Sequence, residues 1–263
     1  MSNFIFELNP ILQAFLATLF TFFVTALGAS LVFMFKKINK NVLDSMLGIA
    51  AGVMIAASFW SLLSPAITMA DNLHMNTMLV VSLGFLAGGL LLFIGDKVMN
   101  RLKRHTVSGT NKRILMLITS ITLHNIPEGL AIGVAFGSTL YGLDGATLMS
   151  AWTLAIGIGI QNFPEGTAVS IPLRREGISL KKSFFLGSLS GVVEPIAGVL
   201  GALLVLKMRM ILPFLLAFAA GAMIYVVTEE LIPESQTNES KDLMAMFCLV
   251  GFTIMMVLDV VLG

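Results

Sequence analysis

Apolar residues run along this chain in long unbroken blocks rather than in the strict alternation of a half-exposed strand or the narrow stripe of a surface helix. A helix of about 20 apolar residues crosses the hydrocarbon core of a bilayer. On that measure the blocks predict eight transmembrane helices at about 11–35, 45–69, 76–97, 113–138, 147–172, 183–206, 210–232 and 243–262. Short polar separators mark the turns between them: KKINKN at 36–41, DNLH at 71–74, RREGISLKK at 174–182 and PESQTNESKD at 233–242. The apolar runs are continuous, which excludes a β-barrel with its alternating segments of about ten residues. The prediction is an all-α integral membrane protein forming a single transmembrane domain over 1–263.

Composition agrees. Hydrophobic residues make up 57% of the chain and charged residues 12%, against about 25% charged in a soluble domain. Net charge is +1, which by itself points to no partner, and no nucleic-acid partner is expected. The single cysteine, Cys248, falls in the last block, so there is neither a disulfide framework nor a cysteine metal cluster. Glu7 and no lysine or arginine precede the first block, which predicts a retained helix rather than a signal peptide. When alternate loops are assigned to opposite faces, Lys207 and Arg209 fall on one side and the other 14 of the 16 basic residues on the other. The basic side is expected to be cytoplasmic, which puts both termini outside the cytoplasm.

Against this apolar background stand two strings, LHNIPEGLAIG at 123–133 and IQNFPEGTAVS at 160–170. Each puts a carboxylate near the middle of a span, where a charged side chain costs roughly 2.5–3.5 kcal/mol on insertion scales. No lysine or arginine lies nearby in either span. Positions three and four apart on a helix share a face. His124, Asn125 and Glu128 therefore line one face of the fourth span, and Gln161, Asn162 and Glu165 one face of the fifth. Imidazole, amide oxygen and carboxylate are ordinary donors to a divalent cation. Pro127 and Pro164 remove backbone donors and free the carbonyls of Leu123 and Ile160, which predicts kinked, part-unwound helices around a polar cavity. Glu194, beside Pro195 in the sixth span, is a third buried carboxylate of the same kind. The competing explanations are a protonated carboxyl bonded to a neighbouring helix for each glutamate and interhelical hydrogen bonds for the amides.

At these residues the chain resembles the ZIP (Zrt/Irt-like protein) family of divalent metal transporters, most closely its GufA-like branch. HNIPEG and QNFPEG, in that order and in the fourth and fifth spans, carry the resemblance. It implies a 3+2+3 arrangement of helices with inverted repeats, a binuclear site in mid-membrane, and a homodimer. Carried over by position, His124, Glu128, Gln161 and Glu165 would surround one ion. Asn125, Asn162 and Glu194 would complete a second site, bridged by Glu128 and Glu165. Met54, in the second span, matches a family methionine ligand, and Glu229 and Glu230 match a cytoplasmic exit site. The alternatives are core packing for Met54 and a solvated interfacial pair for the two glutamates. Two departures stand out: many members hold histidine where Gln161 stands, and the loop after the third span, often histidine-rich, has only His105.

The expected function is therefore import of zinc, with iron, manganese and cobalt as further substrates, past Asp71 and Asp144 at the outer mouth. No cofactor is expected; the divalent ion is the cargo, and the other partner is the lipid bilayer. The compact loops suit a bacterial inner membrane. One rival is an intramembrane metalloprotease, which needs an HExxH-type motif, whereas His124 is followed by Asn and has no second mid-span histidine. Another is a proton or organic-cation transporter that binds no metal.

Overall fold

The computed structural model describes residues 8–35, 39–106, 110–141, 146–207 and 209–262; the side chains of 99–100, 102–106, 110–121, 123–124, 206–207 and 209 lie outside the described residues. Among the described residues all regular structure is helical. Helix α1 is Pro10–Ala29, prolonged by a four-residue turn at Leu31–Met34. Its start is set locally: the Asn9 side chain accepts from the Ile11 amide at 2.9 Å, and Pro10 occupies the first turn, where its missing N–H is not needed. Helices α2 (Lys40–Ala57) and α3 (Ser64–Asn72) form one rod, joined by a wide π-type turn over Ser58–Leu63. Next come α4 (Thr77–Thr106), α5 (Thr110–Ser138) and α6 (Leu148–Arg175). A second broken rod holds α7 (Leu180–Leu189), a 3-10 turn at Ser190–Val192 and α8 (Val193–Lys207). A third holds α9 (Leu212–Val226), a π-type turn at Val227–Leu231 and α10 (Ile232–Ser235), and α11 (Lys241–Leu262) ends the chain.

Among the described residues, six rods are long and apolar enough to cross a membrane: 10–34, 40–72, 77–98, 180–205, 212–235 and 241–262. Of these six, the rods through α2–α3 and α9–α10 are the most enclosed, whereas α4 and α11 are the most open and present Leu, Val and Ile outward. In α6 the polar motif dilutes the apolar run.

The prolines act differently from the expectation. Helices α5 and α6 remain α-helical straight through Pro127 and Pro164. One missing N–H leaves the ladder on either side intact, and tight neighbours hold it. The irregular turns lie elsewhere, before Pro65, Pro195 and Pro233. A proline cannot donate to the carbonyl four residues back and its ring crowds that carbonyl. Widening the turn at 58–63 and 227–231 relieves the conflict.

Glycines bring four helix pairs together at backbone distance. A methyl group at Gly28 or Gly166 would collide with the partner backbone between α1 and α6; Gly129, Gly133 and Gly201 play that part between α5 and α8. Gly52 and Gly251 do so between α2 and α11, as Gly88 and Gly221 do between α4 and α9. In lipid, where there is no hydrophobic drive between helices, such close approach supplies the dispersion contact that holds them. As a result α1, α5, α6 and α8 enclose the motif-bearing faces.

Candidate metal centre

Asn125 and Glu128 on α5, Gln161, Asn162 and Glu165 on α6, and Glu194 on α8 are all buried. The structure brings them together in pairs. The Gln161 Nε2 donates to Glu128 Oε1, joining α6 to α5. The Asn162 Nδ2 donates to both oxygens of Glu194 at 2.9 Å, joining α6 to α8. Gly129, one residue past Glu128, lies against the Glu194 backbone and sets the depth at which α5 meets α8.

An amide bonded to a carboxylate must offer its NH2 group, so its own oxygen faces elsewhere. Among the described residues those oxygens find no partner. Asn125 Oδ1, Glu128 Oε2, Gln161 Oε1, Asn162 Oδ1 and Glu165 Oε2 are all buried without a hydrogen-bond donor, and Asn125 Nδ2 is buried without an acceptor. Buried side-chain oxygens normally have donors. Five unpartnered acceptors from two adjacent helices suit a hard or borderline cation, which accepts lone pairs and has nothing to donate.

The electrostatics point the same way. Glu128 lies within electrostatic range of Glu165 and Glu194, and Glu165 within range of Glu230. The charged groups felt by these three carboxylates are, among the described residues, other carboxylates. Among the described residues no three His, Cys, Asp or Glu side chains converge closely enough to hold an ion by themselves. The oxygens here are partly amide, and the His124 side chain lies outside the described residues, as does Asp144. Met54 is fully buried in the apolar core of α2.

Glu229 is exposed and Glu230 half-buried on the wide turn of the α9–α10 rod. Tyr225, one turn earlier, hydrogen-bonds Asp96 on α4, and Glu229 lies within electrostatic range of both Asp96 and Glu230. At the other wide turn the Ser61 hydroxyl donates to Asp259 Oδ1 at 2.7 Å, tying that turn to α11. A cleft beside it is lined by Ser61, Pro65, Ser138, Thr147 and Ser150.

Sequence reasoning placed the first span but missed its part in the site. The Thr21 hydroxyl donates to Glu194 Oε2, and Thr18, Thr21 and Thr25 are buried on that face. Their spacing of three and four residues in an otherwise apolar helix was the available signal.

An all-helical, multi-pass membrane protein with unpartnered oxygens buried among its helices belongs to the class that handles cations within the bilayer. The chain matches the profile of the family described as ZIP Zinc transporter over residues 11–114 and 103–259. It is 40% identical to zinc transporter ZIP11 of Xenopus tropicalis, over 97% of this chain and 98% of that protein. Identity to zinc transporter ZIP11 of Homo sapiens is 38% over the same shares. With zinc transporter GufA of Myxococcus xanthus it is 34%, over 91% of this chain and 94% of that one. The chain belongs to the ZIP family.

Proposed function

We propose that this chain carries zinc into the cytoplasm through a site formed by α5 and α6, with manganese, iron(II) and cobalt as further cargo. The five unpartnered buried oxygens of Asn125, Glu128, Gln161, Asn162 and Glu165 carry this reading. His124 sits one turn before Glu128 on α5 and adds the imidazole that suits zinc; Met54 supplies a soft thioether from α2. That the relatives are named zinc transporters supports zinc as the first cargo.

The ion enters at the cleft beside Ser61, exchanges water for the mid-depth oxygens and leaves toward Glu229 and Glu230. No covalent chemistry is involved. All eight rods cross the membrane as one transporter domain, both termini outside, with most basic residues in the cytoplasm. The short loops suit a bacterial inner membrane. The close pairs α1–α6 and α8–α5, and likewise α2–α11 and α9–α4, are related as inverted repeats would relate them. The two proline-terminated wide turns, in α2–α3 and α9–α10, fall in matching positions. Such repeats support alternating access around a site near the midplane. A homodimer belongs to this reading, and light scattering on the detergent-solubilised protein measures it.

Uptake into proteoliposomes with an internal metal-sensitive dye tests the proposal, with zinc, manganese, iron(II), cobalt and magnesium each offered. Wild type should take up zinc, and Glu128→Ala and Glu165→Ala should abolish uptake while remaining folded. Undiminished uptake in both variants would remove the carboxylates from the pathway, and no uptake of any metal by wild type would remove transport.

A further inference from the structure

The polar groups at mid-depth fall into two sets. The set on α5 and α6 is open: among the described residues Asn125 Oδ1, Glu128 Oε2, Gln161 Oε1, Asn162 Oδ1 and Glu165 Oε2 have no donor. The Glu194 carboxylate is closed. Its two oxygens accept from Asn162 Nδ2 at 2.9 Å each, and Oε2 accepts from Thr21 as well. The difference decides how many ions the centre needs.

We propose that Thr21 and Asn162 bind the Glu194 carboxylate in place of a second cation, so that this chain carries one transported ion at a time and Glu194 is a positioning residue that ties α1, α6 and α8 together. The inference rests on the reading above that the open set holds the cargo.

Three observations support it. Hydrogen bonds to an ionised acceptor are stronger than neutral ones, and Glu194 has donors on both oxygens from two different helices. The break in the α7–α8 rod also puts Glu194 in the first turn of α8, where the helix dipole favours negative charge without a metal. On its far side the carboxylate is walled in: a methyl group at Gly191 would stand 3.1 Å from both Glu194 Oε1 and Thr25 Oγ1. A second ion beside Glu194 would have to displace the Asn162 and Thr21 donors. Aspartate at position 162 would reverse this, since two facing carboxylates require a cation between them.

The test is zinc bound per chain at saturation, measured by equilibrium dialysis of the purified protein with radiolabelled zinc. Wild type and Glu194→Gln should each hold about one ion, and Asn162→Asp about two. Saturation of wild type near two, Asn162→Asp remaining near one, or Glu194→Gln binding none each overturns the proposal. A wild type that binds no zinc removes the underlying transport reading instead. The strut itself is tested by uptake: Thr21→Val should slow transport with zinc stoichiometry unchanged, and Thr21→Ser should restore the rate. Wild-type uptake by Thr21→Val overturns the strut even if every other variant fails to fold.

Discussion

Glu128→Gln separates what this site does for function from what it does for stability. Glu128 is fully buried, bonded through one oxygen to Gln161, with Oε2 unpartnered among the described residues and Glu165 and Glu194 within electrostatic range. Glutamine is nearly isosteric. Its oxygen keeps the bond from Gln161 Nε2, and its new NH2 group replaces the unpartnered Oε2, with the unpartnered Oε1 of Gln161 as the expected acceptor. One added hydrogen bond contributes about 0.5–1.5 kcal/mol. Removing a charge from bilayer depth is worth up to roughly 2.5–3.5 kcal/mol, less what the Gln161 bond already offsets. The variant should therefore be more stable than wild type in chelator, by about 1–3 kcal/mol. Zinc reverses the order. At a hundredfold excess over Kd a ligand stabilises by about 2.7 kcal/mol, a gain that wild type should show and Glu128→Gln should lose along with uptake. The assay is thermal unfolding in nanodiscs, with chelator and with zinc, beside uptake on the same preparations. A variant less stable than wild type in chelator, with an undiminished rise in zinc, would refute the idea that Glu128 is held unsatisfied for the sake of the ion.

Two further outcomes follow from the same geometry. Gln161→His replaces a weak neutral oxygen donor with imidazole, so zinc should gain on manganese in competitive uptake; an unchanged competition profile would mean that Gln161 does not touch the ion. Gly129→Leu drives a side chain into the Glu194 backbone and Ala197, and overpacking of this kind costs about 1–3 kcal/mol. It should lower the unfolding temperature and uptake together, because it separates α5 from α8, and retention of both would mean that the close approach does not set the site.

The sequence by itself determined the helices, because crossing a bilayer is a local demand: a run of apolar residues meets it whatever the rest of the chain does. Motif faces were legible for the same reason. Asn125 and Glu128 share a face, as do Asn162 and Glu165, since a helix repeats every 3.6 residues. Start signals such as Asn9–Pro10 were equally local. Only the tertiary structure decided who meets whom. Asn162 meets Glu194 and Gln161 meets Glu128 because glycines bring α6 against α1 and α5 against α8, and no spacing along the chain encodes that pairing. The threonine spacing marked a polar face on α1 but not what it meets, because the partner of Thr21 lies 173 residues away. The prolines show the same limit. Pro127 and Pro164 leave their helices unbroken, whereas the turns before Pro65 and Pro233 widen. A missing donor is a local fact, but whether the backbone yields to it depends on the neighbours packed around it.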